Sequence, residues 1–212
     1  MMDIAVSILS SNYDLDETIK RVNDTKAEYF HIDVMDGKFV PNIVDPFKHL
    51  NNTFKPLNVH FMVDDPFKYI TYYSSLKNVD MIIFQVEIDD NIDSLLDYIK
   101  SFNIRCGLAI KPDTDITEIS PYLEKLDEVL VMSVEPGMGG QEFMENSLEK
   151  VETLKNIREK RNLKFLIGID GGVNNTNFSK LKDVDIITVG SYICKSDNYN
   201  EKVDELISLK NK

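Results

Sequence analysis

The chain of 212 residues has little cysteine, little histidine, fewer bases than acids and no long apolar run, and each scarcity narrows what it can do. Its 2 cysteines, Cys106 and Cys194, lie far apart and outside any Cys-x-x-Cys pair, which argues against a thiolate zinc site or a disulfide framework. Both are expected to be reduced thiols. No uninterrupted apolar segment approaches a membrane span, and Met1-Met2-Asp3-Ile4-Ala5-Val6 has no cationic leader ahead of its apolar run. Lys and Arg number 24 against 36 Asp and Glu, a formal charge of -12, and no basic run is interleaved with aromatics. Nucleic acid and membrane are therefore not expected partners, and a cytoplasmic protein is expected.

What the chain does have is alternation. Short apolar runs at 4–9, 29–35, 57–62, 81–86, 105–110, 128–134, 164–169 and 184–189 read as strands. Between and after them, segments of helical period fall at 14–23, 44–50, 66–75, 92–102, 115–122, 142–160, 175–181 and 200–209. Asp14 and Asp65 stand where N-caps belong, and Pro66 suits a first helical turn. Eight strand-helix units with no leftover linker predict α/β architecture, a single (β/α)8 barrel over residues 1–212, near the lower end of the size such barrels need.

In such a barrel, functional groups gather where strands end. The run Tyr29-Phe30-His31-Ile32-Asp33-Val34-Met35-Asp36-Gly37 is a buried strand closed by a turn signal. Side chains two apart share a face, so His31, Asp33 and Met35 project together. The chain has 3 histidines, His31, His49 and His60, and two of them fall at strand ends. A hydrogen-bonded core histidine beside a turn aspartate explains His31 and Asp33 equally well as a pair. With His60 from the third strand and Asp170 from the seventh, the four make a donor set suited to a divalent ion such as zinc, manganese or iron.

Glycine clusters supply a second feature. Pro136-Gly137-Met138-Gly139-Gly140-Gln141, Asp170-Gly171-Gly172-Val173 and Gly190-Ser191 all follow strands in the second half of the chain. Glycines let backbone N–H groups approach an anion, and phosphate between the last two loops recurs in these barrels. A phosphorylated ligand is expected, and the net negative charge does not oppose it because helix N-termini and backbone N–H groups are locally positive.

From Ser7 to about Ser196 the sequence resembles the ribulose-phosphate 3-epimerase family. The residues that carry the resemblance are Ser7-Ile8-Leu9-Ser10, His31 to Gly37 with Phe39-Val40-Pro41-Asn42, Val59-His60-Phe61-Met62-Val63 and Gly107-Leu108-Ala109-Ile110-Lys111-Pro112. Val131 to Gln141, Asp170 to Val173 and Gly190-Ser191 complete them. The resemblance implies interconversion of D-ribulose 5-phosphate and D-xylulose 5-phosphate by inversion at C3, through a cis-enediolate, with one divalent ion (zinc, iron, manganese or cobalt). It implies His31, Asp33, His60 and Asp170 as metal ligands, and Asp33 and Asp170 also as the acid and base. Substrate contacts are implied for Ser7, His60, Gly137, Met138, Gly139, Gly140, Gly171, Gly172, Gly190 and Ser191, with Met35, Met62 and Met132 as an apolar cover. Dimers or larger closed assemblies are common for such barrels, so a homo-oligomer is expected.

Two positions depart from the family's pattern. Gln85 stands where most members have histidine, and Gly168 stands where an acidic residue usually precedes the aspartate by two. An epimerase of D-allulose 6-phosphate shares nearly all these motifs and is the alternative, followed by a non-catalytic phosphosugar-binding barrel. A decarboxylase of the same phosphate-barrel type would need Asp-x-Lys-x-x-Asp, but Asp33 is followed by Val34-Met35-Asp36 with no lysine at that spacing.

Overall fold

The computed structural model describes residues 2–210; Met1 and residues 211–212, at the ends of the expected domain, lie outside the described residues. Among the described residues nine strands form: β1 (Asp3–Ser7), β2 (Tyr29–Asp36), β3 (Ile43–Val44), β4 (Leu57–Met62), β5 (Val79–Gln85), β6 (Arg105–Ile110), β7 (Glu128–Met132), β8 (Leu166–Asp170) and β9 (Ile186–Val189). All but β3 pair in parallel, and β1 closes the barrel by pairing on both sides, Ala5 opposite Tyr29 of β2 and opposite Thr188 of β9. β3 is a short antiparallel addition to the end of β2, with Met35 opposite Val44. No described helix is long and apolar enough to cross a membrane.

Alternation along each strand builds two apolar layers. Ile32, Val34, Val59, Phe61, Ile82 and Phe84 point outward into the large cluster beneath the helices. Met81, Ile83, Ala109, Leu130 and Met132 fill the barrel's interior, and Met35 and Met62 pack together near its mouth. Burying one such side chain completely stabilises the fold by roughly 1.5–3 kcal/mol, so the outer shell supplies most of the driving force and leaves the interior freer to hold polar groups.

The helices are α1 (Leu15–Asn23), α2 (Pro66–Tyr73), α3 (Ile92–Ser101), α4 (Ser147–Arg161), α5 (Ser191–Cys194) and α6 (Tyr199–Lys210). The Asp14 carboxylate caps α1 by accepting from the Glu17 N–H at 2.9 Å. Asp65 occupies the equivalent position before α2, but its carboxylate bonds no N–H there.

Three expected helices prove to be 3-10 turns. Val44 is strand-paired and the segment 44–50 coils only at Phe47–Asn52, because Pro46 disfavours helical backbone in the residue before it. Pro121 has no N–H to carry a helical bond through 115–122, which splits into Ile116–Glu118 and Ser120–Tyr122. In 175–181, Asn174 accepts from the Thr176 N–H and Asn177 from the Asn174 N–H, a local bonding that competes with the helix and leaves only Phe178–Lys180. α4 starts at Ser147 instead of residue 142, since the Met144 N–H is drawn to the Ser133 carbonyl at 2.8 Å. α5 was not expected from the periodicity.

One glycine shows how tightly the interior is built. A methyl on Gly107 would sit 2.8 Å from the Glu128 carbonyl oxygen of the adjoining strand and 3.1 Å from Ile83. Gly107→Ala is therefore expected to destabilise the protein by roughly 1–3 kcal/mol, as overpacking does in a filled core. Urea unfolding measures it, and a midpoint equal to the wild type's would show that β6 and β7 are less tightly opposed than described.

Candidate active site

His31 and Asp33 of β2 lie beside His60 of β4, Asp33 and His60 being direct register partners. Asp170 ends β8 and reaches the same point from across the barrel, a meeting that depends on closure. His31 Nε2 stands 3.3 Å from Asp33 Oδ1 and 3.5 Å from Asp170 Oδ2. His60 Nδ1 stands 3.4 Å and 3.9 Å from the same two oxygens. Both imidazole nitrogens are buried without a hydrogen-bond partner, which is costly for polar atoms unless something else satisfies them.

The four side chains fit a divalent ion. One donor atom from each lies within 4.8 Å of all the others. A tetrahedral ion with donors at about 2.0–2.2 Å separates them by about 3.3–3.6 Å, close to the spacings seen.

Neighbouring groups orient these side chains. Ser7 Oγ donates to Asp33 Oδ2 at 2.7 Å, and Thr188 Oγ1 lies 3.3 Å from His31 Nδ1, leaving Nε2 to face the cluster. The Gln85 side-chain amide meets His60 Nε2 at 2.9 Å. For His60 Nδ1 to offer a lone pair, Nε2 must carry the proton, so the amide must present its carbonyl oxygen to the ring. Rotating the amide places there the oxygen that is otherwise buried and unpartnered. Ser133 Oγ donates to the carbonyls of Asp170 and Gly171 and so shapes the end of β8.

The electrostatics of the cluster are uneven. Burial alone would raise the Asp33 carboxyl, yet His31 and His60 hold it well below the usual carboxylate range. Asp170 is raised by burial and by the charge of Asp33, against the pull of both imidazoles. Burial would lower His31, but the two aspartates push it up to about 9. Glu128, deeper in the barrel, is driven by burial up to about 7 despite the opposing effect of His31 and Arg105.

A cavity opens above the cluster. Ser7, Asp33, Asp170, Met35, Met62 and Met132 line it, together with Gly137, Met138, Gly139, Gly140, Gly171, Gly172, Gly190 and Ser191 of the glycine loops. Every residue expected from the sequence thus meets at one place, with the buried His31 and His60 under its floor. Gly171 and Gly172 have φ of +122° and +65°, and a methyl on Gly171 would stand 2.9 Å from the Val134 nitrogen, so this loop needs glycine twice over. Asn42 Nδ2 donates to the Gly137 carbonyl at 2.7 Å and ties the loop after β2 to the loop after β7.

Sequence reasoning missed Thr188, Ser133 and Glu128. Thr188 lies two residues before Gly190, and strand alternation alone would have placed it on the inner face. Ser133 acts across strands, on the backbone carbonyls of Asp170 and Gly171, and Glu128 gave no motif.

Residues 3–194 match the ribulose-phosphate 3-epimerase family. The Helicobacter pylori protein named ribulose-phosphate 3-epimerase is 34% identical over 216 residues, covering 99% of this chain and 98% of its own. That of Aquifex aeolicus is 33% identical, with 97% and 96% covered. Among solved structures, 3-hexulose-6-phosphate synthase from Salmonella typhimurium superposes with a TM-score of 0.74 over 100% of both chains at 13% identity, a likeness of fold alone. With a match across almost its whole length and relatives at this identity, the chain belongs to the ribulose-phosphate 3-epimerase family.

Proposed function

We propose that the protein inverts C3 of D-ribulose 5-phosphate to give D-xylulose 5-phosphate, with Asp33 and Asp170 as the proton-transferring pair. The observation that carries this reading is the convergence of two carboxylates, from strands on different sides of the barrel, at the floor of one cavity whose other wall is glycine loops. Relatives named ribulose-phosphate 3-epimerase at 33–34% identity favour the five-carbon substrate over the six-carbon one.

Chemistry follows from that placement. The hydrogen on C3 is acidified by the neighbouring C2 carbonyl, and one carboxylate removes it while the other returns a proton to the opposite face; the reverse reaction exchanges the roles. His31, Asp33, His60 and Asp170 would hold a divalent ion, which when bound offsets negative charge developing on the substrate oxygens. Ser7 keeps one oxygen of Asp33 engaged and so fixes the direction of the other. The backbone of the Gly171–Gly172 and Gly190–Ser191 loops would anchor the phosphate, which sets C3 between the carboxylates. Met35, Met62 and Met132 cover the reacting carbons with polarizable, unreactive surface that keeps bulk water out.

Two measurements test this reading. In D₂O the native enzyme should place deuterium at C3 as it epimerises, and Asp170→Asn with its metal content verified should lose epimerisation by about 100–10,000-fold while still exchanging the C3 hydrogen of one epimer. Inversion at near wild-type rate by that variant, or turnover without deuterium uptake, would show the assignment to be wrong. For Gln85, replacement by His keeps a ring partner for His60 and should leave metal affinity and kcat within about tenfold, whereas Gln85→Leu should weaken both by about 10–100-fold. Equal behaviour of the two variants would remove Gln85 from its orienting role.

A further inference from the structure

The cavity over the cluster is electrostatically one-sided. Among the described residues its walls carry the carboxylates of Asp33, Asp170 and Glu135 and no lysine or arginine, although the substrate proposed for it bears a phosphate. Backbone N–H groups of the glycine loops supply partial positive charge, and no full one. A second cavity borders the same loops, sharing Gly140, Gln141, Gly172, Val173 and Ser191 with the first, and it is lined by Lys180 and Lys195. The two lysines differ. Lys180 is engaged by Glu145, whereas among the described residues no carboxylate pairs with Lys195. The Lys195 ammonium lies against Gly140 instead: a methyl built on that glycine would stand 3.3 Å from Nζ and would meet nothing else. The backbone beneath the ammonium is pinned, the Lys195 N–H donating to the Ser191 carbonyl at 3.1 Å and its carbonyl accepting from Asn12 Nδ2 at 3.1 Å.

We propose that Lys195 is a phosphate-binding residue, the one full positive charge that the chain brings to the glycine loops, reaching them from the end of α5. This inference rests on the phosphorylated substrate proposed above. The work of anchoring is then divided: backbone N–H groups fix the direction of the phosphate oxygens, and the ammonium supplies charge to balance a dianion beside three carboxylates. Gly140 serves the same end. Its φ of +78° suits glycine, and the missing side chain leaves the space in front of the ammonium open. Lys195 is exposed, so its attraction for the phosphate acts through water, is screened by salt and is worth a few-fold in affinity and not orders of magnitude. It is remote from the carboxylates that move the proton, and it acts on binding and leaves the chemical step alone.

The test compares the full-length protein with Lys195→Met, which keeps most of the stem and removes the charge, and Lys195→Arg, which keeps the charge. Initial rates on D-ribulose 5-phosphate give kcat and KM at low and high salt, calorimetry gives the affinity for inorganic phosphate, and thermal unfolding gives the melting temperature of each form. Lys195→Met is expected to raise KM by about 3–10-fold with kcat held within about twofold, and to weaken inorganic phosphate by a similar factor. Its melting temperature should not fall, a combination that a merely structural lysine would not show. The gap between wild type and Lys195→Met should narrow at high salt, and Lys195→Arg should behave as the wild type does. Wild-type KM and phosphate affinity in Lys195→Met, a loss confined to kcat, or an arginine variant no better than the methionine one would overturn the proposal. A protein that leaves ribulose 5-phosphate unchanged yet binds inorganic phosphate in a Lys195-dependent way would overturn the proposed reaction and support this site. A wild type that turns the substrate over with a KM insensitive to salt and to Lys195→Met would do the reverse.

Discussion

Closure of the sheet is the constraint on which everything else rests. β1 is hydrogen-bonded to both β2 and β9, so the first and last strands of the series are neighbours, and β8 faces the early strands across a filled interior. Only that geometry brings Asp170 to within 3.5 Å of His31. An open sheet of the same strands would keep His31, Asp33 and His60 together, since β2 and β4 are paired, and would leave Asp170 apart from them. The site is thus a readout of the closed barrel, and loss of closure would disassemble it before any of its four residues changed.

The fold's outer shell compensates for the cost of the inner one. Asn58, His60, Gln85, Glu128 and Thr188 are all buried inside a barrel whose interior could have been aliphatic. Several of their atoms lack a protein partner, including Asn58 Oδ1 and Glu128 Oε2. Such groups are tolerable because the opposite faces of the same strands carry Val, Ile, Leu and Phe into a continuous layer under the helices. Stability and polarity are segregated by strand parity: odd residues of β2 carry His31 and Asp33 into the cluster, and even ones bear the packing.

Much of this was legible in the sequence because parity and periodicity are local. The eight barrel strands, the inward set His31, Asp33 and Met35, and the position of Asp170 at a strand end all follow from alternation and turn residues. Helices at 44–50, 115–122 and 175–181 were misread for equally local reasons, prolines and asparagines within a helical apolar pattern. What could not be read was any relation between strands that depends on side-chain reach. Thr188 beside His31 and Glu128 in the space of Gly168 join positions 157 and 40 residues apart, and no motif announces them.

The hydrogen bond from Asn42 to the Gly137 carbonyl, 2.7 Å long, joins two loops that sequence distance would have left independent. Val40 adds to the bond, packing so close to Gly137 that a methyl there would stand 2.9 Å from its Cβ. Residues 40–42 and the methionine-bearing loop after β7 are in consequence one mechanical piece. An excursion of one would have to carry the other along or break the strap, so this side of the mouth is built as a single lip and not as two separate flaps.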